Sequence, residues 1–153
     1  MATMKNFFVK SHGLGNDYIV MNSHEISFEM TVENIKTICD VHYGIGSDGI
    51  LLLVDSDKTD FGLRILNPDG SEAEKSGNGL RIFSKYLYDY GFAKGQSFSI
   101  DTLGGVVYAE VIEVENEKAR MIKVDMGKAI FEAGKVPVQS DQEECLDEEL
   151  ELD

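Results

Sequence analysis

The chain has 153 residues, and 42% of them are hydrophobic, which is enough for one domain with a buried core. Its net charge is −14, and residues 141–153 hold eight acidic side chains and no basic one. No basic stretch is available to meet phosphates, and no apolar run reaches the roughly 20 residues of a membrane span, so nucleic-acid binding and membrane insertion are both excluded.

The cysteines and the first residues bear on cellular location. Cys39 and Cys145 are too few for a disulfide framework, and the chain leads directly into a strand pattern without a signal peptide. Proteins without disulfides are typical of reducing compartments. We therefore expect a cytoplasmic protein.

Short apolar runs and glycine loops organise the first half of the chain. Thr31 predicts the N-cap of a helix whose apolar face includes Ile35 and Cys39, and Gly44 is expected to end that helix. A glycine loop at residues 13–17 separates two neighbouring strands. The predicted strands of this half lie at residues 7–9, 18–21, 50–54 and 61–66.

Residues 44–49 match the dinucleotide-binding pattern G-x-G-x-x-G letter for letter. That fingerprint requires a strand before the glycines and a helix after them. Here the glycines follow a predicted helix and precede a predicted strand. We therefore interpret the segment as a turn and not as a nucleotide site.

Residues 67–90 combine a turn, a glycine-rich loop and a helix. The letters N-P-D-G at residues 67–70 predict a turn, and S-G-N-G at residues 76–79 lead into apolar residues at helical spacing. A helix that begins among glycines presents free N–H groups and the positive end of its dipole. The segment therefore predicts a cradle for an anion such as a carboxylate, with Ser76 at its edge.

The second half of the chain is mainly strand. Alternating apolar residues predict strands at residues 97–101, 106–114 and 119–126, the last two forming a hairpin. The total is about seven strands and two helices, which favours an α+β fold. Residues 150–152 alternate like a strand within the acidic tail, and the chain ends inside that pattern. We expect a truncated chain.

Several candidate groups have two interpretations. The polar glycine loops suit the binding of a small zwitterion, but the same residue types also make ordinary turns. His12 is a candidate base, although a lone histidine is more often a structural donor, and Lys75 on its loop is more often a solvated cation. Cys39 is expected to be a buried small hydrophobe. No histidine or cysteine spacing predicts a metal site.

The loop sequences resemble the diaminopimelate epimerase family. The resemblance is carried, in the family's order, by residues 12–18, 44–49, 64–74, 77–81 and 124–127. It implies an α+β fold with two similar lobes, each a mostly antiparallel sheet wrapped around a helix, with the active site between them. Residues 1–130 would form the first lobe, and residues 131–153 an acidic linker toward a missing second lobe.

The same resemblance implies site residues and a reaction. Family members invert an amino-acid carbon with one cysteine from each lobe and no cofactor, as in the conversion of LL- to meso-diaminopimelate in lysine biosynthesis. By position, Asn16 and Asn67 would bind substrate, and Gly77 and Asn78 would form the backbone cradle. Ser76 stands where the family has its first catalytic cysteine, by natural divergence or by engineering. An alcohol is a far weaker acid than a thiol, so impaired or absent turnover is expected.

Three alternatives stay open from the sequence. The chain is compatible with a related racemase or dehydratase acting on another amino acid. A non-catalytic amino-acid-binding module that keeps the cradle without the thiol is a further alternative. A second lobe from the same polypeptide or from another chain is the expected partner, and a homodimer of this lobe is a further arrangement.

Overall fold

A computed structural model describes residues 5–136 and 142–146, and within them the chain forms eight strands, two α-helices and one short 3-10 helix. The strands are β1 (Phe8–Gly13), β2 (Asn16–Asn22), β3 (Ile50–Val54), β4 (Phe61–Leu66), β5 (Glu72–Ala73), β6 (Ser97–Thr102), β7 (Gly105–Glu115) and β8 (Lys118–Asp125). The helices are α1 (Val32–Cys39), α2 (Gly77–Asp89) and the 3-10 helix Ala133–Lys135. All predicted strands and both predicted helices are present. The unpredicted strand β5 has only two residues, too few for a recognisable pattern.

The strands form one mixed sheet in the order β1-β2-β3-β4-β6-β7-β8, with β5 paired to β4. Five of its seven pairings are antiparallel, and only β2–β3 and β4–β6 are parallel. Helix α2 contacts both β1 and β8, the two ends of that strand order. The sheet therefore curls around α2 as a half-barrel, and the predicted α+β fold with a mostly antiparallel sheet wrapped around a helix is confirmed.

The main core forms between α2 and the concave face of the sheet. Leu80, Phe83 and Leu87 recur at helical spacing and are completely buried. Ser84 is also buried, but its hydroxyl donates to the Leu80 carbonyl at 2.7 Å, so no polar group is left unpaired there. The core cluster around them draws on β2, β3, β4, β6 and β7. Burial of this stripe holds α2, and the loop before it, in a fixed position.

Helix α1 covers the other face of the sheet. Thr31 is its N-cap, as predicted, and its hydroxyl accepts a hydrogen bond from the Asn34 amide at 3.2 Å. Ile35 and Cys39 lie one turn apart and pack against residues of β2, β3 and β4. Cys39 is 4% exposed, which confirms it as a buried small hydrophobe, and burial raises the pKa of its thiol.

The end of α1 corrects one prediction, because the helix stops at Cys39 and not at Gly44. The intervening loop folds back onto the last helical turn. The Ile38 carbonyl accepts from the amides of Ile45 (3.0 Å) and Gly46 (3.1 Å), and the Cys39 carbonyl accepts from Ser47 (3.1 Å). These amides satisfy the carbonyls that a helix C-terminus leaves free. They are therefore not free to hold a phosphate, in agreement with the interpretation of the G-x-G-x-x-G match as a turn.

Gly44→Ala is expected to destabilise the fold. A Cβ atom at this position would lie 1.9 Å from the Thr37 carbonyl oxygen, which is backbone and cannot move aside cheaply. We expect a loss of about 1–3 kcal/mol or more in the free energy of unfolding, measured by urea denaturation. Gly95→Ala is the matched control, because a Cβ atom added there would point into open space. Equal urea midpoints for the two variants would contradict this account of the loop.

Beyond β8, two described segments pair with each other. The Phe131 carbonyl accepts from the Cys145 amide at 2.7 Å, and Glu132 forms an isolated antiparallel bridge with Glu144. The predicted strand pattern at residues 150–152 lies outside the described residues. Among residues 5–136 and 142–146, no helix is long and apolar enough to cross a membrane.

Candidate active site

The sheet register brings three of the glycine-rich loops to one edge. Ile19 of β2 pairs with Ile50 of β3, and Ile50 pairs with Leu66 of β4. The residues just before Ile19 and Ile50 and just after Leu66 therefore lie side by side. These are the loops at residues 12–17, 44–49 and 67–72. The start of α2 joins this group through a hydrogen bond between Tyr18 and Ser76.

Ser76 is the N-cap of α2. Its hydroxyl oxygen accepts a hydrogen bond from the Gly79 amide at 3.0 Å, and its carbonyl accepts from the Leu80 amide at 2.8 Å. The hydroxyl of Tyr18, on β2, donates to the same Ser76 Oγ at 3.3 Å. This contact joins the start of α2 to the loop at the beginning of β2, although the two residues are 58 positions apart in the sequence.

The amides of Gly77 and Asn78 are the free donors of the cradle. In an N-terminal helical turn the first N–H groups have no intrahelical acceptor. Ser76 satisfies the third of them, on Gly79, whereas no described residue accepts a hydrogen bond from the Gly77 or Asn78 amide. Two adjacent N–H groups at the positive end of a 13-residue helix therefore remain available to an anion.

The Asn78 side chain is held between two neighbours. Arg81, one turn along α2, donates from Nη2 to Asn78 Oδ1. On the other side, a Cβ atom at Gly13 would lie 3.4 Å from the Asn78 Cβ, so the tip of the β1–β2 hairpin rests against the helix start. The hairpin loop and the cradle are thus parts of one surface.

Asn16 is held by Asp48. The Asn16 Nδ2 donates to Asp48 Oδ2 at 3.3 Å, and the Asp17 amide donates to the same oxygen at 2.8 Å. The Asp48 amide in turn donates to the Asp17 carbonyl at 2.9 Å. Asp48 therefore ties the loop before β3 to the loop before β2.

Asn67 is organised by its own turn. Its Nδ2 donates to Ser71 Oγ at 2.9 Å, and that hydroxyl donates to Asp69 Oδ1 at 2.6 Å. The side-chain and backbone hydrogen bonds from Ser71 lower the pKa of the Asp69 carboxyl. The predicted turn at residues 67–70 is confirmed by the bond from the Gly70 amide to the Asn67 carbonyl at 2.9 Å. Asn67 lies at the shared edge, but none of its hydrogen bonds reaches Asn16 or Ser76 among the described residues.

Neither candidate base contacts Ser76 within the described part of the chain. His12 is exposed on β1, opposite Asp17 in the strand register. The Lys75 stem packs on the β6–β7 turn, since a Cβ atom at Gly104 would lie 2.9 Å from Lys75 Cγ. A serine needs an adjacent base before it can transfer protons, and the described residues place none beside it.

The sequence indicated the candidate site residues but not the groups that hold them. Tyr18, Asp48 and Arg81 each fix one predicted residue through a side-chain hydrogen bond. Only Arg81, three residues after Asn78 on a predicted helix, carried a local signal for its contact. The other two join segments that only the tertiary fold brings together.

A separate cleft of about 410 Å³ lies beside β6, β7 and β8. Its lining includes Tyr108, Lys123 and Asp60 but none of the predicted site residues. Asp60 accepts hydrogen bonds from the Ser99 amide at 2.8 Å and hydroxyl at 2.7 Å, which lower the pKa of its carboxyl. The polar groups there are used to join β6 to the loop before β4, so this cleft is not the candidate site.

Residues 8–132 match the model of the family described as diaminopimelate epimerase. A curated diaminopimelate epimerase 2 from Nostoc sp. is 50% identical over 147 residues, covering 95% of this chain and 50% of that protein. A diaminopimelate epimerase from Caldanaerobacter subterraneus is 45% identical over 146 residues, covering 95% of this chain and 52% of that protein. The chain thus spans about half the length of the curated relatives that it matches.

Solved structures share the fold at much lower identity. A hydroxyproline epimerase from Agrobacterium vitis has a TM-score of 0.61 at 16% identity, over 76% of this chain and 40% of that chain. Methylitaconate-delta-isomerase has a TM-score of 0.60 at 19% identity, over 73% of this chain and 35% of that chain. These likenesses concern the fold alone.

Proposed function

Because the chain belongs to the diaminopimelate epimerase family, we propose that it is the first lobe of a cofactor-independent amino-acid epimerase that takes diaminopimelate as substrate. The observation that carries the proposal is the pair of free amides on Gly77 and Asn78, beside Ser76 and at the edge where the other loops meet. A carboxylate fits such a pair because N–H donors at a helix start favour negative charge.

Substrate binding is assigned to four residues. The Gly77 and Asn78 amides receive a substrate carboxylate, and the side chains of Asn16 and Asn67 hold the rest of the amino-acid head group. Asparagine offers both a donor and an acceptor, so it is able to bind an ammonium and a carboxylate alike. The two asparagine side chains donate hydrogen bonds to Asp48 and Ser71, and the orientation that these bonds give them supports these roles.

Position 76 is the proposed place of proton transfer, and serine is the reason for expecting impaired turnover. Inversion requires one group to remove the α-proton and another to deliver a proton to the opposite face. The second group would come from a second lobe, supplied by the same polypeptide or by another chain such as a second copy. In this proposal residues 1–130 are the first lobe, residues 131–153 lead toward the second, and the reaction takes place in the cytoplasm.

Asn67→Ala is expected to weaken diaminopimelate binding about tenfold to a hundredfold, the value of one hydrogen bond to a charged group. The measurement is calorimetry with the LL- and meso-isomers, on this chain completed by its own second lobe or by that of the Nostoc relative. Asn116→Gly, in the β7–β8 turn, is the control, because position 116 has a φ of 50° that glycine adopts without strain.

The chain completed by a second lobe also tests the proposed function as a whole. Binding of both isomers, with deuterium entering the α-carbon in heavy water, supports the epimerase lobe. Release of a keto product would replace it with a dehydratase, and preference for another amino acid would replace it with a related racemase. No binding of any amino acid would overturn it.

A non-catalytic amino-acid-binding module is the second candidate. The specific observation in its favour is that the Ser76 oxygen is already engaged by the Gly79 amide and the Tyr18 hydroxyl. Tight binding of diaminopimelate with no α-proton exchange, in the completed protein, would select this candidate over the epimerase.

A further inference from the structure

Tyr18 is a buried residue whose ring is held in one position by its packing. Its side chain is 7% exposed, and its ring packs on the backbone of Gly49, where a Cβ atom would lie 2.9 Å from Tyr18 Cε1. Any larger residue at Gly49 would displace the ring. This packing places the phenol hydroxyl oxygen 3.3 Å from Ser76 Oγ.

The hydrogen bonds at Ser76 Oγ define what this hydroxyl is able to do. A serine hydroxyl has two lone pairs to accept hydrogen bonds and one proton to donate. The Gly79 amide occupies one lone pair at 3.0 Å, and the Tyr18 hydroxyl occupies the other at 3.3 Å. No described residue accepts the Ser76 proton. The hydroxyl proton therefore remains available for donation, whereas both lone pairs of the oxygen already accept hydrogen bonds.

We propose that Tyr18 is a positioning residue for the group at position 76, and that together with the Gly79 amide it restricts Ser76 to donating a hydrogen bond toward the ligand. Resting on the proposed function, this makes Ser76 a third donor to the substrate carboxylate, beside the Gly77 and Asn78 amides. A hydroxyl in this state cannot take the α-proton, because no described residue accepts its own proton and a neutral alcohol is not a base.

The proposal is tested by a thiol probe at position 76 in the 153-residue chain. In the Ser76→Cys variant, the Tyr18 hydroxyl and the Gly79 amide would both donate to a thiolate and lower its pKa. Adding Tyr18→Phe removes one donor and keeps the ring in place. We expect this to raise the thiol pKa by about one unit, since a hydrogen bond to a charged group is worth roughly that much.

The readout is the rate of iodoacetamide alkylation against pH, resolved by peptide mass spectrometry. The native thiols serve as references in the same digest, and Cys39 is expected to react slowly because it is buried. Tyr86→Phe is the matched control, since Tyr86 is a buried tyrosine of α2 and the described hydrogen bonds to Ser76 Oγ come from Tyr18 and Gly79. It is expected to leave the probe's pKa unchanged.

A second arm of the alkylation experiment replaces Tyr18 alone with 3-fluorotyrosine, which makes the phenol a stronger donor and leaves its shape nearly intact. It is expected to lower the pKa of the position-76 thiol, and it applies even if Tyr18→Phe impairs folding. Equal thiol pKa values with and without the Tyr18 hydroxyl would overturn the proposal. Alkylation requires no second lobe and no substrate, so this outcome is independent of whether the completed protein is an epimerase.

Discussion

Ser76→Cys is expected to increase the interconversion of LL- and meso-diaminopimelate by about a hundredfold or more, the usual contribution of a well-placed general acid–base group. The variant is made in the chain completed with a second lobe. A cysteine thiol has an ordinary pKa near 8.5, and a helix start lowers it, so a thiolate is populated near neutral pH. Serine at the same place has no such basic form and no adjacent base.

The interconversion is measured as deuterium entering the α-carbon of the opposite isomer in heavy water, with the isomers separated before mass spectrometry. Ser97→Cys is the control, because it adds a thiol at an exposed position at the start of β6, away from the cradle. An unchanged rate for Ser76→Cys would mean that position 76 does not carry the proton. A Ser76 protein already as fast as its cysteine variant would contradict the proposed impairment.

The stereochemistry of the exchange separates the two proton carriers. In the completed Ser76 protein, the proposed cysteine of the second lobe would still remove and return a proton on its own face. Deuterium would then enter with retention of configuration, and inversion would be nearly absent. In the Ser76→Cys variant, exchange and inversion are expected to rise together, because both faces of the carbon then have a proton carrier.

Local patterns were sufficient to predict seven of the eight described strands and both α-helices. The spacing of Leu80, Phe83 and Leu87 predicted α2, and all three are completely buried in the core. Thr31 predicted the start of α1 because a side-chain cap depends only on residues within one turn. The context of residues 44–49 predicted a turn, and the structure adds the reason, which is the use of their amides to cap α1.

What the sequence did not predict depends on contacts between distant segments. The end of α1 was placed at Gly44 because glycine is a common stop signal, whereas the loop amides that end the helix act through the folded backbone. Asp48 and Tyr18 reach Asn16 and Ser76 across 32 and 58 positions. No periodicity encodes such pairs, and only the sheet register brings them into contact.

The predicted binding residues are thus marked by local sequence, whereas the residues that orient them are brought into place by the tertiary fold. The predicted binding residues lie at turns and a helix start, which local sequence marks clearly. Their orientation depends on Tyr18, Asp48 and Ser71, which are fixed by the sheet and by a neighbouring turn. A change in the core that moves α2 against the sheet is therefore expected to disturb the site without touching any binding residue.

Phe83→Ala is the sharpest test of that dependence. Phe83 is completely buried at the centre of the core between α2 and the sheet. Removing its ring is expected to lower the free energy of unfolding by about 3–5 kcal/mol through lost burial and the cavity left behind. Because small domains have only about 5–15 kcal/mol in total, the variant is expected to be partly unfolded at 37 °C.

The measurement is urea denaturation followed by circular dichroism, with Phe131→Ala as the matched control. Phe131 is 46% exposed, so the same chemical change is expected to cost less than about 1 kcal/mol there. Since α2 carries the cradle, the position-76 thiol of a Ser76→Cys/Phe83→Ala variant should lose its lowered pKa in step with unfolding. A Phe83→Ala protein as stable as Phe131→Ala would show that the packing of α2 in the half-barrel does not hold the site in place.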